Sequence, residues 1–565
     1  MKKIVSLICA VTMTAAMFMG CTGTSSSASS DAADSNSASG ASSVDENPSG
    51  SASSVADSAF DQEDIPLNIV DDNYRNYYEI FVGSFYDSNG DGIGDLNGIY
   101  QKLDYIADMG FTGIWLTPIM ESTTYHKYDV VDYYMIDEDF GTMMDFKNLV
   151  DGCHERGINI IIDFVMNHTS TQHEWFKTAT QYLKGLGTDE VPNAEECPEY
   201  GYYHFSQKNA SNYSKVSGTG WYYESVFWSE MPDLDLSNES LRREIEAIAD
   251  YWIDAGIDGF RMDASMHYEE NDASFNAEVL DWLYSHCLEK NPDFYMVSEV
   301  WAGSSVIADY YKSNTPSMFN FPLSSGEGAL AKTANGTMKA EAFIDKIISL
   351  DSEYSASYAD YIDAPFLSNH DQIRISNTLN GDPVKIKYAA GLLLTLPGNP
   401  FVYYGEEIGM KSKGTEDPNK RLPMVWSKTD DTGMTDLPDG ASSGIESNFD
   451  GVDLQLDDKD SILNYYKKAL LIRNQNPELA RGDMVKLDAL CDGTVAAVRR
   501  TYDSSSIIVI YNSSEEAATI DLSAESSIDT STIEMRGYLT VDSSDAVTLD
   551  GTSLVMPGRS ICIIK

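Results

Sequence analysis

The chain has 565 residues, which is too long for one ordinary domain and enough for a large catalytic domain with a smaller module. Its 89 acidic residues outnumber its 38 basic ones, so that the formal net charge is -51. Because the sequence shows no basic patch interleaved with aromatic residues, the composition argues against a nucleic-acid partner. A strong negative charge favours solubility and says nothing about a neutral substrate.

The first 20 residues are predicted to be a secretory signal, because two lysines precede an apolar run that ends at Gly20. Cys21 follows directly, and this junction resembles the processing site of bacterial lipoproteins. It predicts a lipid on Cys21, with a cleaved signal that carries no lipid as the alternative. The remainder of 21–60 is rich in Ser, Ala, Asp and Gly and is expected to be a disordered tether.

An acidic loop follows the first predicted strand, Tyr77–Phe85. Its side-chain oxygens come from Asp87, Asn89, Asp91 and Asp95. Oxygen ligands grouped on one tight loop are typical of hard cations such as Ca²⁺. The EF-hand pattern itself does not fit, because Gly98 stands at its twelfth position. A solvated Asp-Gly turn is the alternative interpretation of this loop.

Helix and strand patterns alternate after this loop. A helical pattern over 96–110 leads into a predicted strand at 113–119, and such alternation is typical of a parallel barrel. The next loop carries Tyr125, His126 and Tyr128. Clustered aromatic residues are commonly part of a core. On a loop at the catalytic end of a barrel, they indicate a stacking platform for a ligand.

Four apolar segments end in polar side chains. They read INIIIDFVMNHTS, GFRMDA, DFYMVSEVW and APFLSNHDQ. The polar residues at their ends are Asp163, Asn167, His168, Arg261, Asp263, Glu299, His370 and Asp371. A (β/α)₈ barrel carries its chemistry at the carboxyl ends of its strands. We therefore expect these residues to meet at one end of such a barrel.

Two carboxyl groups in these segments have different sequence surroundings. Arg261 and Asp263 stand two residues apart and would project from one face of a strand, so the guanidinium is expected to keep Asp263 ionised and nucleophilic. Glu299 has no cation beside it in the sequence, and burial is expected to raise its pKa and suit it to general acid catalysis. Taken alone, the Arg261–Asp263 pair is also consistent with a structural ion pair.

The alternation lapses at 169–238, which is polar and aromatic and predicts a small domain inserted after the third strand. From 479 onward the pattern changes to short alternating strands, which predicts a C-terminal antiparallel β-sandwich at 479–565. The fold class is therefore predicted to be α/β, with a (β/α)₈ barrel at 61–478 that contains the inserted domain.

The four polar-ended segments, the acidic loop and the sequence MPDLD at 231–235 resemble the α-amylase family of glycoside hydrolases. The resemblance runs from about Tyr77 to the C-terminus. It indicates the subgroup between oligo-1,6-glucosidases and neopullulanases, which usually has Asn where Asp235 stands. A second departure is Met266, where amylases often carry Lys, and it affects a sugar contact on the leaving side.

The resemblance implies a role for each residue at the strand ends. Asp263 would be the nucleophile, Glu299 the general acid and base, and Asp371 a carboxylate that binds sugar hydroxyls and helps to distort the ring. Further sugar contacts are implied for Tyr128, His126, His168, Arg261 and His370. Among these, Tyr128 would stack on the glucose at the cleavage point.

The resemblance also implies bound calcium. The side chains of the acidic loop at 87–95 and the carbonyl of Ile93 would form one site. A second site is implied at Asn167, Asp233 and the carbonyl of His267, with a remaining ligand that the sequence does not identify.

The function implied is an endo-acting, retaining α-amylase that hydrolyses α-1,4 bonds of starch and maltooligosaccharides through a covalent glucosyl–Asp263 ester. The same residues would also serve a 4-α-glucanotransferase or a neopullulanase- or α-glucosidase-like enzyme. A catalytically inactive starch-binding lipoprotein is the most distant alternative. The predicted location is the cell surface, with the enzyme held to the bacterial membrane by the lipid on Cys21.

Overall fold

The computed structural model describes residues 60–187, 190–442 and 448–565. The predicted signal segment, Cys21 and all but the last residue of the predicted tether lie outside the described residues. Within the described part of the chain, no helix is both long enough and apolar enough to cross a membrane.

A parallel sheet forms the centre of the fold. Its seven strands are β1 (Tyr77–Ile80), β2 (Gly113–Leu116), β3 (Asn159–Phe164), β4 (Gly259–Met262), β5 (Tyr295–Ser298), β6 (Ser317–Met318) and β7 (Phe401–Tyr403). They pair in the order β6-β5-β4-β3-β2-β1-β7. Parallel bridges from Phe319 to Ala364 and from Phe366 to Phe401 close the ring between β6 and β7. The predicted (β/α)₈ barrel is thereby confirmed.

Helices separate the barrel strands, as the predicted alternation requires. The described α-helices are Leu96–Gln101, Leu103–Met109, Met143–Glu155, Glu174–Gly185, Glu239–Asp254, Ala273–Lys290, Ser304–Tyr310, Ala329–Ala334, Ala340–Ser355, Ile375–Thr378, Pro383–Leu394, Val452–Asp457, Ile462–Gln475 and Glu478–Arg481. Their apolar faces pack on the outer side chains of the barrel strands and form the main core.

Aromatic side chains fill the barrel interior. The ring of Tyr77 lies 4.7 Å from that of Phe401 and 5.4 Å from that of Tyr295, measured between centroids. Trp115, Ile161 and Phe319 belong to the same buried cluster. Since successive strand side chains alternate in direction, the residues two positions further along each strand also face the interior, nearer its carboxyl end. The aromatic layer thus lies directly beneath the carboxyl ends of the strands.

Two predicted elements are shorter in the structure than in the sequence pattern. The first strand ends at Ile80 and a 3₁₀ turn follows at Val82–Ser84. The predicted helix at 96–110 is interrupted at Lys102. The Lys102 ammonium at this interruption lies 4.1 Å and 4.2 Å from the ring centroids of Tyr86 and Trp426, which is cation–π distance.

The predicted insertion at 169–238 contains the helix Glu174–Gly185 and a small antiparallel sheet. The strands of that sheet are Phe205–Ser206, Tyr222–Glu224 and Tyr213–Lys215. A further antiparallel pair, Met120–Ser122 and Val130–Ile136, follows β2 and frames the loop that carries His126 and Tyr128.

The C-terminal region forms two antiparallel sheets, as predicted. One contains Asp483–Lys486, Val495–Tyr502, Ser505–Asn512, Ser560–Ile564 and Met535–Leu539, and the other contains Ala518–Asp521, Ser553–Met556 and Thr548–Asp550. A separate apolar cluster that includes Ile510, Leu522 and Leu554 lies between them. The first of these strands begins at Asp483, shortly after the predicted boundary at 479.

Candidate active site

One buried guanidinium connects the acids at the strand ends. Arg261 is 1% exposed, and its Nη1 lies 2.8 Å from Asp163 Oδ1 and 2.6 Å from Asp263 Oδ1. Its Nη2 lies 3.1 Å from Glu299 Oε2. The three carboxyl groups come from the ends of β3, β4 and β5, which are neighbours in the barrel. The structure therefore assembles both predicted catalytic acids around a single cation.

This arrangement corrects the expectation that Arg261 keeps the pKa of Asp263 low, because burial outweighs the guanidinium, and it supports the expected rise in the pKa of Glu299. The sequence places no cation beside Glu299, whereas the fold brings Arg261 within ion-pair distance of it. Burial raises the pKa of Asp263 and of Glu299, and Arg261 opposes the rise in both. The negative charges of Asp263 and Asp371 add to the effect of burial on the pKa of Glu299. The rise in pKa is thus common to both groups, and they differ in their contacts: Asp263 has the shorter contact with Arg261, and Glu299 faces two neighbouring carboxylates.

Asp163 is a further acid of the site, which the sequence placed at a polar strand end without assigning it a catalytic or sugar-binding role. It is fully buried, and burial raises its pKa to about 7 although Arg261 opposes the shift. Its Oδ2 accepts a hydrogen bond of 3.0 Å from the hydroxyl of Tyr128. A carboxyl group at the end of an apolar strand is the sequence signal that identifies it.

Ala264 links the two predicted catalytic acids through the backbone. Its φ is +49°, a left-handed conformation that is uncommon for residues with a Cβ and costs about 1–3 kcal/mol. In this conformation its N–H donates to Glu299 Oε2 at 3.1 Å. Backbone strain directly after Asp263 therefore helps to fix the position of the Glu299 carboxylate.

Asp371 is held from two sides. Its Oδ1 accepts a hydrogen bond of 2.7 Å from Arg421 Nη2, and its Oδ2 lies 3.1 Å from His370 Nε2. Although burial alone would raise it, these two cations hold the pKa of Asp371 well below its usual range. Arg421 comes from a loop after β7, and no local pattern in the sequence connects it with Asp371.

The predicted residues surround one cavity of about 540 Å³. Six of the predicted catalytic and sugar-binding residues line it, namely His126, Tyr128, His168, Asp263, Glu299 and Asp371. Arg261 and His370 are buried beneath them. The Asp263 and Glu299 side chains are 10% and 12% exposed, so that both carboxyl groups are reachable from the cavity.

Two histidines of the cavity are held neutral. Burial lowers the pKa of His126 and of His168 to about 4. His126 Nδ1 accepts the backbone N–H of Tyr128 at 3.1 Å. His168 Nε2 is buried and has no hydrogen-bond partner within the described chain. A neutral imidazole with an unpaired nitrogen at a cavity wall is suited to a hydroxyl group of a ligand.

The predicted calcium loop is internally hydrogen bonded. Asp87 accepts the N–H groups of Asn89, Gly90 and Gly92 at 2.7–3.0 Å. Asp95 accepts the N–H of Gly98 and is the N-cap of the helix Leu96–Gln101. Across the described ranges, no group of three or more His, Cys, Asp or Glu side chains is arranged to hold a metal ion. The possible metal ligands of this loop are instead of mixed type, because a side-chain amide oxygen and a backbone carbonyl oxygen accompany the carboxylates. A set of ligands that are all oxygens fits a hard cation.

The structure brings together part of the predicted second calcium site. Asn167 Nδ2 donates to Asp233 Oδ1 at 3.3 Å, and Asn167 Oδ1 is a buried oxygen with no partner among the described residues. Burial raises the pKa of Asp233 to about 7. The imidazole of His267 pairs with Glu270, with Nδ1 2.5 Å from Oε1, and also lines the cavity.

A model of the α-amylase catalytic domain matches residues 79–482 of this chain. Alpha-amylase 3 of Dictyoglomus thermophilum is 39% identical over 444 residues, which cover 78% of this chain and 85% of that protein. The 4-alpha-glucanotransferase of Thermotoga maritima is 30% identical over 456 residues, which cover 78% of this chain and 96% of that protein.

The solved structure of Eubacterium rectale Amy13B has the same fold. It superimposes with a TM-score of 0.85 at 40% sequence identity, covering 89% of this chain and 97% of that one. The family of this protein is shown by sequence similarity over most of the chain and by the acids grouped at the strand ends of the same barrel. The protein belongs to the α-amylase family and is a glycoside hydrolase.

Proposed function

We propose that this protein is a retaining, endo-acting α-amylase that hydrolyses α-1,4-glucosidic bonds of starch and maltooligosaccharides. The observation that carries the proposal is the single guanidinium of Arg261, which contacts both Asp263 and Glu299 at the wall of one cavity. Two carboxyl groups with different protonation states on one cavity wall are what glycoside hydrolysis requires.

In the first step, Asp263 attacks the anomeric carbon of the glucose bound in the cavity. The bond from that carbon to the glycosidic oxygen breaks, and the oxygen takes the proton of Glu299 as the shortened glucan leaves. The products are a covalent glucosyl–Asp263 ester and an ionised Glu299. Arg261 compensates charge throughout, since it contacts both carboxyl groups.

In the second step, ionised Glu299 removes a proton from water, and the water oxygen attacks the same anomeric carbon. The ester bond to Asp263 breaks, and the sugar is released with its original configuration after two displacements. Each catalytic carboxyl group returns to its starting protonation state, so one water is consumed for each bond cleaved.

The other residues of the cavity position the sugar. Tyr128 presents a ring face that is held in place because its hydroxyl donates a hydrogen bond to Asp163 and its oxygen accepts one from His370 Nε2. Ionised Asp371 accepts hydrogen bonds from sugar hydroxyls, and these strengthen as positive charge develops on the ring. Neutral His126 and His168 supply further hydrogen-bonding nitrogens.

Transglycosylation by a 4-α-glucanotransferase is the second candidate function. The Thermotoga maritima relative carries that name, and a transferase would use the same ester at Asp263 with a sugar hydroxyl replacing water. Neopullulanase- and α-glucosidase-like activities use the same residues and differ in the bonds they accept. A sugar-binding protein without activity is disfavoured, because Asp263, Glu299 and Asp371 are all present and line one cavity.

Time-resolved product analysis tests these proposals. The enzyme is incubated separately with amylose, pullulan and maltotriose, and the oligosaccharides are separated at early times. An endo-acting hydrolase gives mixed short oligosaccharides from amylose with one new reducing end for each bond cleaved. Products longer than maltotriose from maltotriose, without a matching rise in reducing ends, would instead establish the transferase. Absence of any product from all three glucans would support the binding protein.

Calcium bound at the 87–95 loop is proposed to stabilise the fold without entering the reaction. The ligands would be Asp87, Asn89, Asp91, Asp95 and the Ile93 carbonyl. Since a ligand that binds only the native state stabilises it, exhaustive chelation is expected to lower the Tm by roughly 2–5 °C. Differential scanning calorimetry with and without added Ca²⁺ measures this shift.

Two variants test whether the calcium-dependent shift in Tm arises from binding at the 87–95 loop. Asp91→Ala is expected to remove the calcium-dependent part of the Tm, whereas Asp104→Ala, which removes an exposed partner of Arg156, keeps it. An unchanged Tm after chelation, with no calcium detected by elemental analysis of the purified protein, would contradict the site. Asn167, Asp233 and the His267 carbonyl remain a proposed second site on the same reasoning.

We also propose that the enzyme is anchored at the cell surface by a lipid on Cys21. The support is the sequence pattern before Cys21 and the polar tract after it. Cys21→Ser is expected to release the enzyme into the medium or to stall its processing, as fractionation and immunoblotting would show. Membrane attachment of that variant at wild-type levels would contradict the anchor.

A further inference from the structure

Glu79 is a buried carboxylate behind the active site that the proposed reaction steps do not use. It lies on β1, two residues after Tyr77, so that both side chains face the barrel interior. Glu79 is 1% exposed, and its Oε1 accepts the backbone N–H of His370 at 3.1 Å. The same oxygen lies 2.6 Å from the Nδ1 atom of the His370 ring.

The opposite nitrogen of this ring faces the cavity residues. His370 Nε2 lies 2.7 Å from the Tyr128 hydroxyl and 3.1 Å from Asp371 Oδ2. Since the Tyr128 hydroxyl donates to Asp163, its oxygen is free to accept from Nε2–H. Each ring nitrogen therefore meets an acceptor that requires a proton on it, and an imidazolium satisfies both.

We propose that Glu79 is a positioning residue for glycoside hydrolysis, because its carboxylate holds His370 as an imidazolium that fixes Asp371 and Tyr128 against the sugar. The inference rests on the proposed function, in which Asp371 and Tyr128 contact the substrate. Glu79 itself does not touch the sugar, and it acts only through the ring of His370.

The charges around His370 agree with this assignment. Burial alone would lower the pKa of His370, but Asp371 and Glu79 raise it to about 9. The other charged groups facing this region are Asp163, Asp263, Arg261 and Arg421. They comprise two acids and two permanent cations, so their effects on the imidazolium oppose each other. Burial raises the pKa of Glu79, and its hydrogen bonds with His370 oppose that rise. The charge state of His370 therefore depends mainly on the two carboxyl groups in direct contact with it.

A purely structural role for Glu79 would not require a negative charge on its side chain. A neutral acceptor would satisfy the backbone N–H of His370, and burying a carboxylate is costly unless a cation compensates it. Glu79→Gln separates the two roles, because the amide keeps an acceptor oxygen and the size of the side chain but removes its charge. Any effect specific to this variant reports the charge on Glu79.

The direct readout is the titration of the His370 ring. Histidines labelled with ¹³C are followed by NMR over a range of pH, and the His370 signal among the 8 histidines is assigned by its loss in His370→Gln. In the wild type we expect the ring to stay doubly protonated up to about pH 8. In Glu79→Gln the charged form should be lost at a pH lower by one unit or more.

The kinetic readout is the effect on kcat and KM separately. In Glu79→Gln, kcat for maltooligosaccharides is expected to fall about 10- to 100-fold, because Asp371 loses its fixed orientation in the transition state. KM is expected to change less than about threefold. Glu407→Gln is the matched control, since Glu407 is also buried and accepts hydrogen bonds from the hydroxyls of Tyr78 and Tyr105, outside the cavity lining. It should leave both readouts at wild-type values.

A wild-type His370 that is neutral at pH 7 would overturn the proposal, and this holds even if Glu79→Gln fails to fold. An unchanged titration in Glu79→Gln, or a lowered titration with wild-type kcat, would overturn it as well. The titration does not depend on turnover. An enzyme inactive on every glucan would therefore contradict the proposed function alone and leave the link between Glu79 and His370 to be judged by NMR.

Discussion

Replacement of Asp263 with asparagine is expected to lower kcat on maltooligosaccharides by about 10⁴-fold or more, which corresponds to a loss of at least about 5 kcal/mol of transition-state stabilisation. The reason is that an amide cannot form the glucosyl ester. The fold should survive, because asparagine is isosteric and its oxygen still accepts the 2.6 Å contact from Arg261. Reducing-sugar release measured over several hours is sensitive enough to detect a rate that has fallen by this factor.

The matched control for this variant lies at the opposite end of the same strand. Asp258 precedes β4 and accepts hydrogen bonds from the backbone N–H of Ile160 and from His154, far along the strand from the cavity. Asp258→Asn should keep kcat near the wild-type value. Substantial hydrolysis by a purified Asp263→Asn protein, with deamidation excluded by mass spectrometry, would refute Asp263 as the nucleophile.

Glu299→Gln is expected to have the second largest effect, and its size should depend on the leaving group. For maltooligosaccharides, kcat should fall about 10²- to 10⁴-fold, because the departing oxygen no longer receives a proton. For α-glucosyl fluoride, whose leaving group needs little assistance, formation of the ester should remain fast. Added azide should then accelerate turnover and give α-glucosyl azide, since attack by an anion on the ester needs no general base.

The pH dependence provides an independent check on the same residue. As the general acid, Glu299 must be protonated at the start of the reaction, and burial raises its pKa above the usual value. Wild-type activity should therefore decline as the pH rises through that pKa. In Glu299→Gln the alkaline decline assigned to this group should disappear. If the alkaline decline in activity persists unchanged in the variant, it belongs to the titration of another group.

The sequence predicts the fold well because the signals for it are local. Apolar strands, intervening helical patterns and polar strand ends are each visible within a short window, and the barrel order follows from their alternation. The ends of elements are less predictable. At the interruption of the predicted helix, the Lys102 ammonium contacts the rings of Tyr86 and Trp426, and Trp426 is more than 300 residues away in the chain. No local propensity reports such a contact.

The site is predictable from the sequence where the interacting residues lie within one short segment. The pair Arg261 and Asp263 is visible because strand geometry places residues two apart on one face. The contacts of Arg261 with Glu299, of Arg421 with Asp371 and of Glu79 with His370 each join separate segments. Only the closed barrel brings these groups together. Consequently the sequence identified the acids, while the structure was needed to show how they influence one another.

Mass spectrometry of Glu299→Gln after brief reaction with α-glucosyl fluoride tests the central claim most directly. The ester should form faster than it hydrolyses in this variant, so the intact protein is expected to gain the mass of one glucosyl residue. Peptide mapping should place that mass on Asp263. A variant that turns over the fluoride without any adduct, or an adduct located on another residue, would contradict the mechanism.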